Sequence, residues 1–215
     1  TFAPENKTLD YSVKWLMAHA YDTPRDADIG HLPEHAEGWG SGMQNTVPTA
    51  PLQALKDYEA TRLSWLDAVR RYGFAKVTDM RAAPEELFEI VDVFGFVRET
   101  NYGRHFEVRT EVNPINLAYT GLGLQAHTDN PYRDPVPGMQ ILHCLAAPPR
   151  GGDSVLVDGI AVAEGLRRDH PQWFEIMTQC PRRFRYCDQQ SDLQRSQPLI
   201  QVLGDEIIAV RYNSR

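Results

Sequence analysis

Cysteine is scarce in this sequence: Cys144, Cys180 and Cys187 are the only three, odd in number and widely spaced. Such a set builds no disulfide framework and suits a reducing compartment, so a cytoplasmic location is expected. Long apolar runs are missing too. None approaches the roughly 20 residues that a helix needs to span a bilayer, and a globular protein outside the membrane is expected. Positive charge is in deficit, with 22 Lys and Arg against 29 Asp and Glu and a formal net charge of -7. The cations are scattered and form no basic stripe that would neutralise phosphates, which excludes nucleic acid as the expected partner. The opening "TFAPENKTLD" has neither the basic nor the apolar region of a secretory signal. It has no initiating Met and reads as a chain that begins mid-protein. Internal repeats and low-complexity tracts are also absent.

What is present reads as alternating short elements. The stretch "YSVKWLMAHAY" predicts a short helix, and "DTPRDADIGHLPEHAEGWGSGMQNTVPTAP" a long surface segment. Residues 1–50 are therefore expected to be an N-terminal extension, or the remnant of a small N-terminal domain, ahead of a main domain over residues 51–215. From Pro51, the residues Leu52, Leu55, Tyr58, Leu63, Leu66 and Val69 form roughly one helical stripe, which Gly73 should end. "GFAKVTD" is strand-like, and "APEELFEIVDVFG" predicts a helix with Pro84 in its first turn and Gly95 at its end. "INLAYT", "GMQILHCLA" and "DSVLVDG" read as short strands, "GIAVAEGLRRDHPQWFEIMTQC" as a helix broken near Pro171, and "RRFRYCD" as extended chain. "PLIQVLGDEIIAVRYN" reads as a hairpin turning at Gly204-Asp205. Helices on many short strands imply an α+β fold, a barrel or jelly roll with helical cover.

The chemistry concentrates in "GLQAHTDNPYRDPVPGMQILHCLAAPPRGGDSVLVDG". Residues i and i+2 of extended chain project to one side, so His127 and Asp129 can aim an imidazole and a carboxylate at one point. With a second His from a distant strand they would make the facial triad of non-haem Fe(II) oxygenases, which leaves three metal positions open. The triplet alone is equally a surface turn in which "TDNP" forms an Asx-type bend.

The surrounding residues are more specific. "NLAYTGLGLQAHTDNPYRDPVPGMQILHCLAAPPRGGDSVLVDG" resembles the core of the Fe(II)/2-oxoglutarate-dependent dioxygenases of the taurine dioxygenase superfamily. Within that superfamily it is most similar to the branch of γ-butyrobetaine and trimethyllysine hydroxylases. The likeness lies in the Asn-x-Ala-Tyr-Thr lead-in, the His-Thr-Asp, the Pro-Gly-x-Gln-x-Leu-His-Cys strand and the Gly-Gly-Asp-Ser turn. More loosely it runs from about Tyr58 to the end of the chain. The resemblance implies a double-stranded β-helix, or jelly roll, with Fe(II) as cofactor, 2-oxoglutarate and dioxygen as co-substrates, and ascorbate as an activator. It makes His127 and Asp129 iron ligands and Ser154 a hydroxyl contacting 2-oxoglutarate; read alone, Ser154 is equally a turn cap. The reaction implied is hydroxylation of an unactivated C–H, giving alcohol, succinate and CO2.

The same branch holds a trimethylammonium group among aromatic faces, because a permanent cation without an N–H is bound by ring quadrupoles instead of hydrogen bonds. The matching positions are Tyr102, Phe106 and Tyr119, with a fourth aromatic expected beyond Arg215. Phe106 stands where animal butyrobetaine enzymes have Trp. Without the resemblance, these rings read as core-facing strand aromatics. Asn116 matches a residue binding the anionic end of the substrate. An Asn-Asn pair that also serves that end corresponds to Asn213 and Ser214, so the second member departs from the pattern. A Ser hydroxyl with Arg211 or Arg215 nearby suits three phosphonate oxygens, which makes 2-(trimethylammonio)ethylphosphonate an alternative to a γ-butyrobetaine-like substrate.

The pattern lacks its third ligand. Neither His143, on a strand close to the first two ligands, nor His170, at the helix break, fits the distal His. The resemblance places that His and the 2-oxoglutarate Arg beyond Arg215, so a segment of a longer enzyme is expected. The branch also has a small N-terminal zinc domain, and no cysteine cluster for one stands here. A quaternary ammonium substrate, a homodimer and the absence of nucleic-acid or membrane partners complete the expectations. The competing class is a jelly-roll binding protein with a degenerate iron site. A zinc hydrolase built on His127 and Asp129 is weakened by the missing third ligand and the absence of a His-Glu-x-x-His helix.

Overall fold

The computed structural model describes residues 8–18, 20, 32–33, 35–109 and 123–213. The chain divides into two compact units, Thr1–His31 and Leu32–Arg215. The first contains helix α1 (Val13–Ala18), the short helix expected. Ser12 opens it by accepting the Trp15 amide on its hydroxyl at 3.1 Å, and Tyr11 stacks on Trp15 at 4.8 Å.

In the second unit, a 3-10 turn (Ser41–Asn45) leads into β1 (Thr49–Pro51), which pairs in parallel with β2 (Lys76–Thr78). Between them lie α2 (Leu52–Asp57) and α3 (Glu59–Tyr72). One continuous helix was expected here. Tyr58 is extended (φ -119°, ψ 109°) and divides it, and Tyr58 and Leu63 are exposed. The buried aromatic on this face is Trp65, whose indole N–H donates to the Lys76 carbonyl at 3.1 Å. Gly73 ends α3 in the left-handed conformation (φ 79°), as its position implied. The next helix, α4 (Phe88–Phe94), starts later than Pro84, because Glu85 has φ 68° and cannot continue a right-handed helix. Gly95 caps its end. Leu52, Leu55, Trp65 and Ile90 form the first core, with Leu66, Val77 and Phe94 packed against it.

The second core lies under α5 (Gly159–Asp169) and α6 (Pro171–Gln179), which join at the expected break, with Pro171 at the first position of α6. Ile160, Ala163 and Leu166 lie along one face of α5 and meet Ile200, Ile207 and Val210. The last two strands, β5 (Ile200–Leu203) and β6 (Glu206–Val210), form the expected hairpin. Gly159, the first residue of α5, lies against the hairpin at Val210, where a Cβ would meet the valine side chain in ordinary van der Waals contact at 3.4 Å. Asp158 caps α5, one carboxylate oxygen accepting the Ala161 amide at 2.9 Å. Its other oxygen takes the Trp39 amide at 2.9 Å, while the Trp39 indole donates to the Tyr72 carbonyl at 2.8 Å, so Trp39 ties the end of α3 to the start of α5.

β3 (Arg182–Cys187) is the expected extended "RRFRYC" segment. It pairs antiparallel with β4 (Asp192–Gln197), which carries no apolar alternation in "DLQRSQ". The architecture is thus mixed α and β, with three two-stranded sheets among the described residues. Two expected strands are corrected: residues 138–146 and 153–157 form no ladder among the described residues. Met139, Leu142, Val155, Leu156 and Val157 stand exposed along them. β propensity favours local extension, but a strand exists only with a hydrogen-bonded neighbour. "INLAYT" lies outside the described residues. Among the described residues, no helix is long and apolar enough to cross a membrane.

Leu55 is completely buried, and Leu63 is 58% exposed on the next helix. Leu55→Ala should lower unfolding free energy by about 2–5 kcal/mol, whereas Leu63→Ala should change it by less than about 0.5 kcal/mol. Urea denaturation of both variants measures this, and equal losses would contradict the assignment of the core.

Candidate active site

The His-Thr-Asp turn belongs to no ladder, so its position depends on side-chain and single backbone bonds. Thr128 supplies them. Its amide donates to the Tyr212 carbonyl at 2.7 Å, and its hydroxyl accepts the Tyr212 amide at 3.0 Å. The residue just past β6 thus holds the middle of the motif.

On either side of Thr128 the two candidate ligands converge. His127 Nδ1 lies 2.8 Å from the Gln125 carbonyl oxygen, which only accepts, so Nδ1 carries the proton and donates. That leaves Nε2 facing Asp129 Oδ1 at 3.2 Å, with both side chains partly open to solvent. Two lone-pair donors this close repel unless a cation lies between them. A proton gives an imidazolium–carboxylate ion pair; a divalent metal takes both donors at once. The carbonyl behind His127 orients the imidazole as second-layer partners orient metal-bound histidines. The donor pair therefore fits two positions of an Fe(II) facial triad. Among the described residues no third His, Cys, Asp or Glu joins them. His143 is half-buried with Nδ1 unpartnered, and His170 is exposed and stacked on Trp173 at 4.4 Å.

An aromatic wall is tied to this turn. The segment 100–103 is a tight bend: Thr100 pairs with Gly103 (φ 81°), and the Tyr102 amide donates to the Thr100 hydroxyl at 3.1 Å. Arg104 over the Phe88 ring (4.7 Å) and His105 edge-on to it (5.3 Å) fasten the bend to α4. Tyr102 and Phe106, both expected from sequence, lie 5.3 Å apart at 39°. Adjacent ring faces of this kind are what a cation site requires on one side. Two tyrosines not foreseen extend the wall. Tyr186 packs on Tyr102 at 5.7 Å, and Tyr132 stacks on Tyr186 at 5.3 Å and 25°. Tyr132 donates to Asn130 Oδ1 at 2.5 Å, and Tyr186 donates to Asp188 Oδ2 at 2.7 Å. Burial first and the Tyr102 contact second push the Tyr132 phenol far above its ordinary range; the Asp188 bond chiefly does the same for Tyr186. Both phenols stay protonated and remain donors.

Sequence offered a signal for each. Tyr132 lies three residues beyond Asp129 in "HTDNPYRD", and Tyr186 alternates with buried Phe184 in "RRFRYCD", the period that puts both on one strand face. The loop bearing Tyr132 is further held by arginines. Arg98 reaches the Pro135 and Val136 carbonyls (3.4 and 3.3 Å), Arg195 pairs with Asp134 at 2.5 Å, and Arg133 bonds the Asn101 side chain.

The other expected residues are not all brought together. Ser154 is exposed, and no hydrogen bond joins it to His127 or Asp129. Before it, Gly151 and Gly152 are left-handed (φ 70° and 77°), which favours glycine at both, and a Cβ on Gly152 would lie 2.6 Å from the Pro148 ring, so Gly152 is also sterically required. Asn213 is half-buried directly after Tyr212. Asn116, Tyr119 and Ser214 lie outside the described residues. Arg211 is buried, with one guanidinium nitrogen donating to Gln201 at 2.9 Å and its Nε without a partner.

With this geometry established, comparison with known proteins assigns the class. The family described as "Taurine catabolism dioxygenase TauD, TfdA family" matches residues 31–205, and the chain belongs to it. A γ-butyrobetaine dioxygenase of Pseudomonas sp. (strain AK-1) is 36% identical over 190 residues, covering 88% of this chain and 49% of that protein. The human γ-butyrobetaine dioxygenase is 30% identical over 178 residues, 81% and 45% of the respective chains. The human mitochondrial trimethyllysine dioxygenase is 26% identical over 218 residues, covering 98% and 51%. The chain spans about half the length of these relatives.

Thr128→Val removes the hydroxyl that accepts the Tyr212 amide and keeps the shape of the side chain. The expected loss is about 1 kcal/mol, read as faster hydrogen exchange at the Tyr212 amide. Unchanged protection there would show that the hydroxyl does not hold the join.

Proposed function

We propose that the protein is a dioxygenase that hydroxylates an unactivated C–H of a small trimethylammonium zwitterion of the γ-butyrobetaine kind. 2-Oxoglutarate is the co-substrate, and the products are alcohol, succinate and CO2. The observation that carries this is the attachment of an aromatic wall to the same turn that bears the paired His127 and Asp129 donors. Relatives named γ-butyrobetaine and trimethyllysine dioxygenases support the substrate class.

In this reading His127 Nε2 and Asp129 hold Fe(II), and the Gln125 carbonyl keeps the imidazole proton on Nδ1. Fe(II), when bound, supplies the activation of dioxygen coupled to decarboxylation of 2-oxoglutarate. The rest of the chain positions. Tyr102 and Phe106, with Tyr119, take the trimethylammonium group by their ring faces, each such contact contributing about 0.5–2 kcal/mol. Asn116, Asn213 and Ser214 receive the anionic end, and the Ser154 hydroxyl meets 2-oxoglutarate. Fixing both ends of a short zwitterion presents one carbon to the reacting centre, which is the main part a protein plays in such chemistry. The proposal includes a jelly-roll domain over 51–215, a homodimer and a cytoplasmic location, with ascorbate as activator.

A second substrate is supported by Arg211. Its guanidinium is buried, no carboxylate among the described residues pairs with it and its Nε is uncommitted, two residues before Asn213. A tetrahedral phosphonate with three oxygens makes fuller use of such a donor than a planar carboxylate. 2-(Trimethylammonio)ethylphosphonate is thus the second reading.

The test is succinate formation by the whole protein with Fe(II), ascorbate and 2-oxoglutarate, across trimethylammonium compounds ending in carboxylate or phosphonate. Stimulation by a carboxylate member is expected; a phosphonate winner selects the second reading. No stimulation together with no iron binding would replace the enzyme with a binding protein whose iron site is degenerate. His127→Ala and Asp129→Ala should each abolish iron retention after gel filtration, measured by metal analysis. Tyr102→Leu should raise the substrate KM by about 5- to 30-fold while iron stays bound.

A further inference from the structure

We infer that Tyr132 is a positioning residue that fixes the Tyr102 ring against the turn carrying Asp129, and so sets the distance from the cation site to the reacting centre. The inference rests on the reading of Tyr102 as a cation-binding ring.

The argument begins with proton direction. The Asn130 atom facing Tyr132 is its carbonyl oxygen, which only accepts, so the single Tyr132 hydroxyl proton goes there at 2.5 Å. The Tyr132 oxygen is left as an acceptor. Tyr102, whose hydroxyl lies 3.4 Å away, is placed to be the donor of that contact. The result is a directional chain from Tyr102 to Tyr132 to Asn130, which neighbours Asp129.

Asn130 is suited to anchor the chain. It takes φ 50°, a conformation that Asn tolerates better than most residues, and its carbonyl accepts the Arg133 amide at 3.0 Å, closing the turn around Tyr132. Tyr132 itself cannot swing freely. Its ring is stacked on Tyr186, which is fixed by the β3–β4 ladder and by Asp188. A parallel link runs from Arg133 to Asn101, the residue before Tyr102. The cation-binding ring is thus referenced to the metal-binding turn through its own hydroxyl and through its neighbour.

Phenylalanine at 132 keeps the ring and the stack and deletes only the relay. In the whole protein, Tyr132→Phe should weaken binding of γ-butyrobetaine to the metal-free form about five-fold by calorimetry. With Fe(II) and 2-oxoglutarate it should lower the yield of hydroxylated product per succinate, a ratio that a general loss of stability does not move. Tyr102→Phe should do the same, and the double variant should be no worse than either single one, because both changes break one chain. A normal Kd and a normal ratio in Tyr132→Phe would overturn this inference alone, as would additive losses in the double variant. An unaltered protein that binds no trimethylammonium compound would overturn the functional reading and this inference with it.

Discussion

Thr128 and Tyr212 lie 84 residues apart and exchange hydrogen bonds in both directions, and the site depends on that join. The residues around the motif have few other long-range restraints. Residues 123–127 are exposed, and residues 138–146 form no ladder among those described. Side chains cannot hold an imidazole and a carboxylate 3.2 Å apart if the backbone between them wanders. Threonine suits the role because its hydroxyl both accepts and donates while its amide serves the same partner. His127 and Asp129 flank it, so fixing their shared neighbour fixes both.

From this point the structure extends in two directions. Behind Tyr212 stands β6, packed through Val210 and Ile207 against α5, with Asp158 and Trp39 connecting α5 to α3. The turn is thereby referenced to both hydrophobic cores, and a motif with little packing of its own gains rigidity from elements far away in sequence. Ahead of Asp129, the loop 130–136 is gripped by Tyr186, Arg98, Arg195 and Asn101. Most of these bonds involve arginine donating to carbonyls or carboxylates, which orders a loop without requiring it to become a strand.

The sequence disclosed the parts of this arrangement that local chemistry dictates. Gly73 ends a helix because a left-handed residue is needed there, Pro171 begins α6 because its missing N–H costs nothing at a first turn, and Gly204-Asp205 turns a hairpin between two apolar strands. The closeness of the His127 and Asp129 side chains follows from their i, i+2 spacing, while the roles expected of them and of Tyr102 and Phe106 came from a family resemblance. What stayed hidden was collective. "GMQILHCLA" and "DSVLVDG" have strand composition, but pairing is a property of two segments and cannot be read from one. β4 was missed for the converse reason, since "DLQRSQ" has no apolar alternation and is extended only because β3 pairs with it. The break at Tyr58 and the late start of α4 at Phe88 come from single backbone conformations that leave the helical period intact. Tyr132 and Tyr186 belong to distant segments, and their meeting is a tertiary event.

The proposed substrate has a cation at one end and an anion at the other, and discrimination by length requires both ends to be measured from one origin. In the proposed function the His-Thr-Asp turn would be that origin. On one side, Tyr132 and Asn130 refer the aromatic wall to Asp129. On the other, the bonds from Thr128 to Tyr212 refer Arg211 and Asn213 to His127. A flexible connection on either side would blur the distance between the binding ends, and a substrate one methylene too long would be accepted at small cost, because a methylene is worth only about 1–3 kcal/mol in a pocket. On the proposed function, rigid links through Thr128 and Tyr132 would convert that small difference into misplacement of the reacting carbon, with the penalty falling on rate instead of affinity.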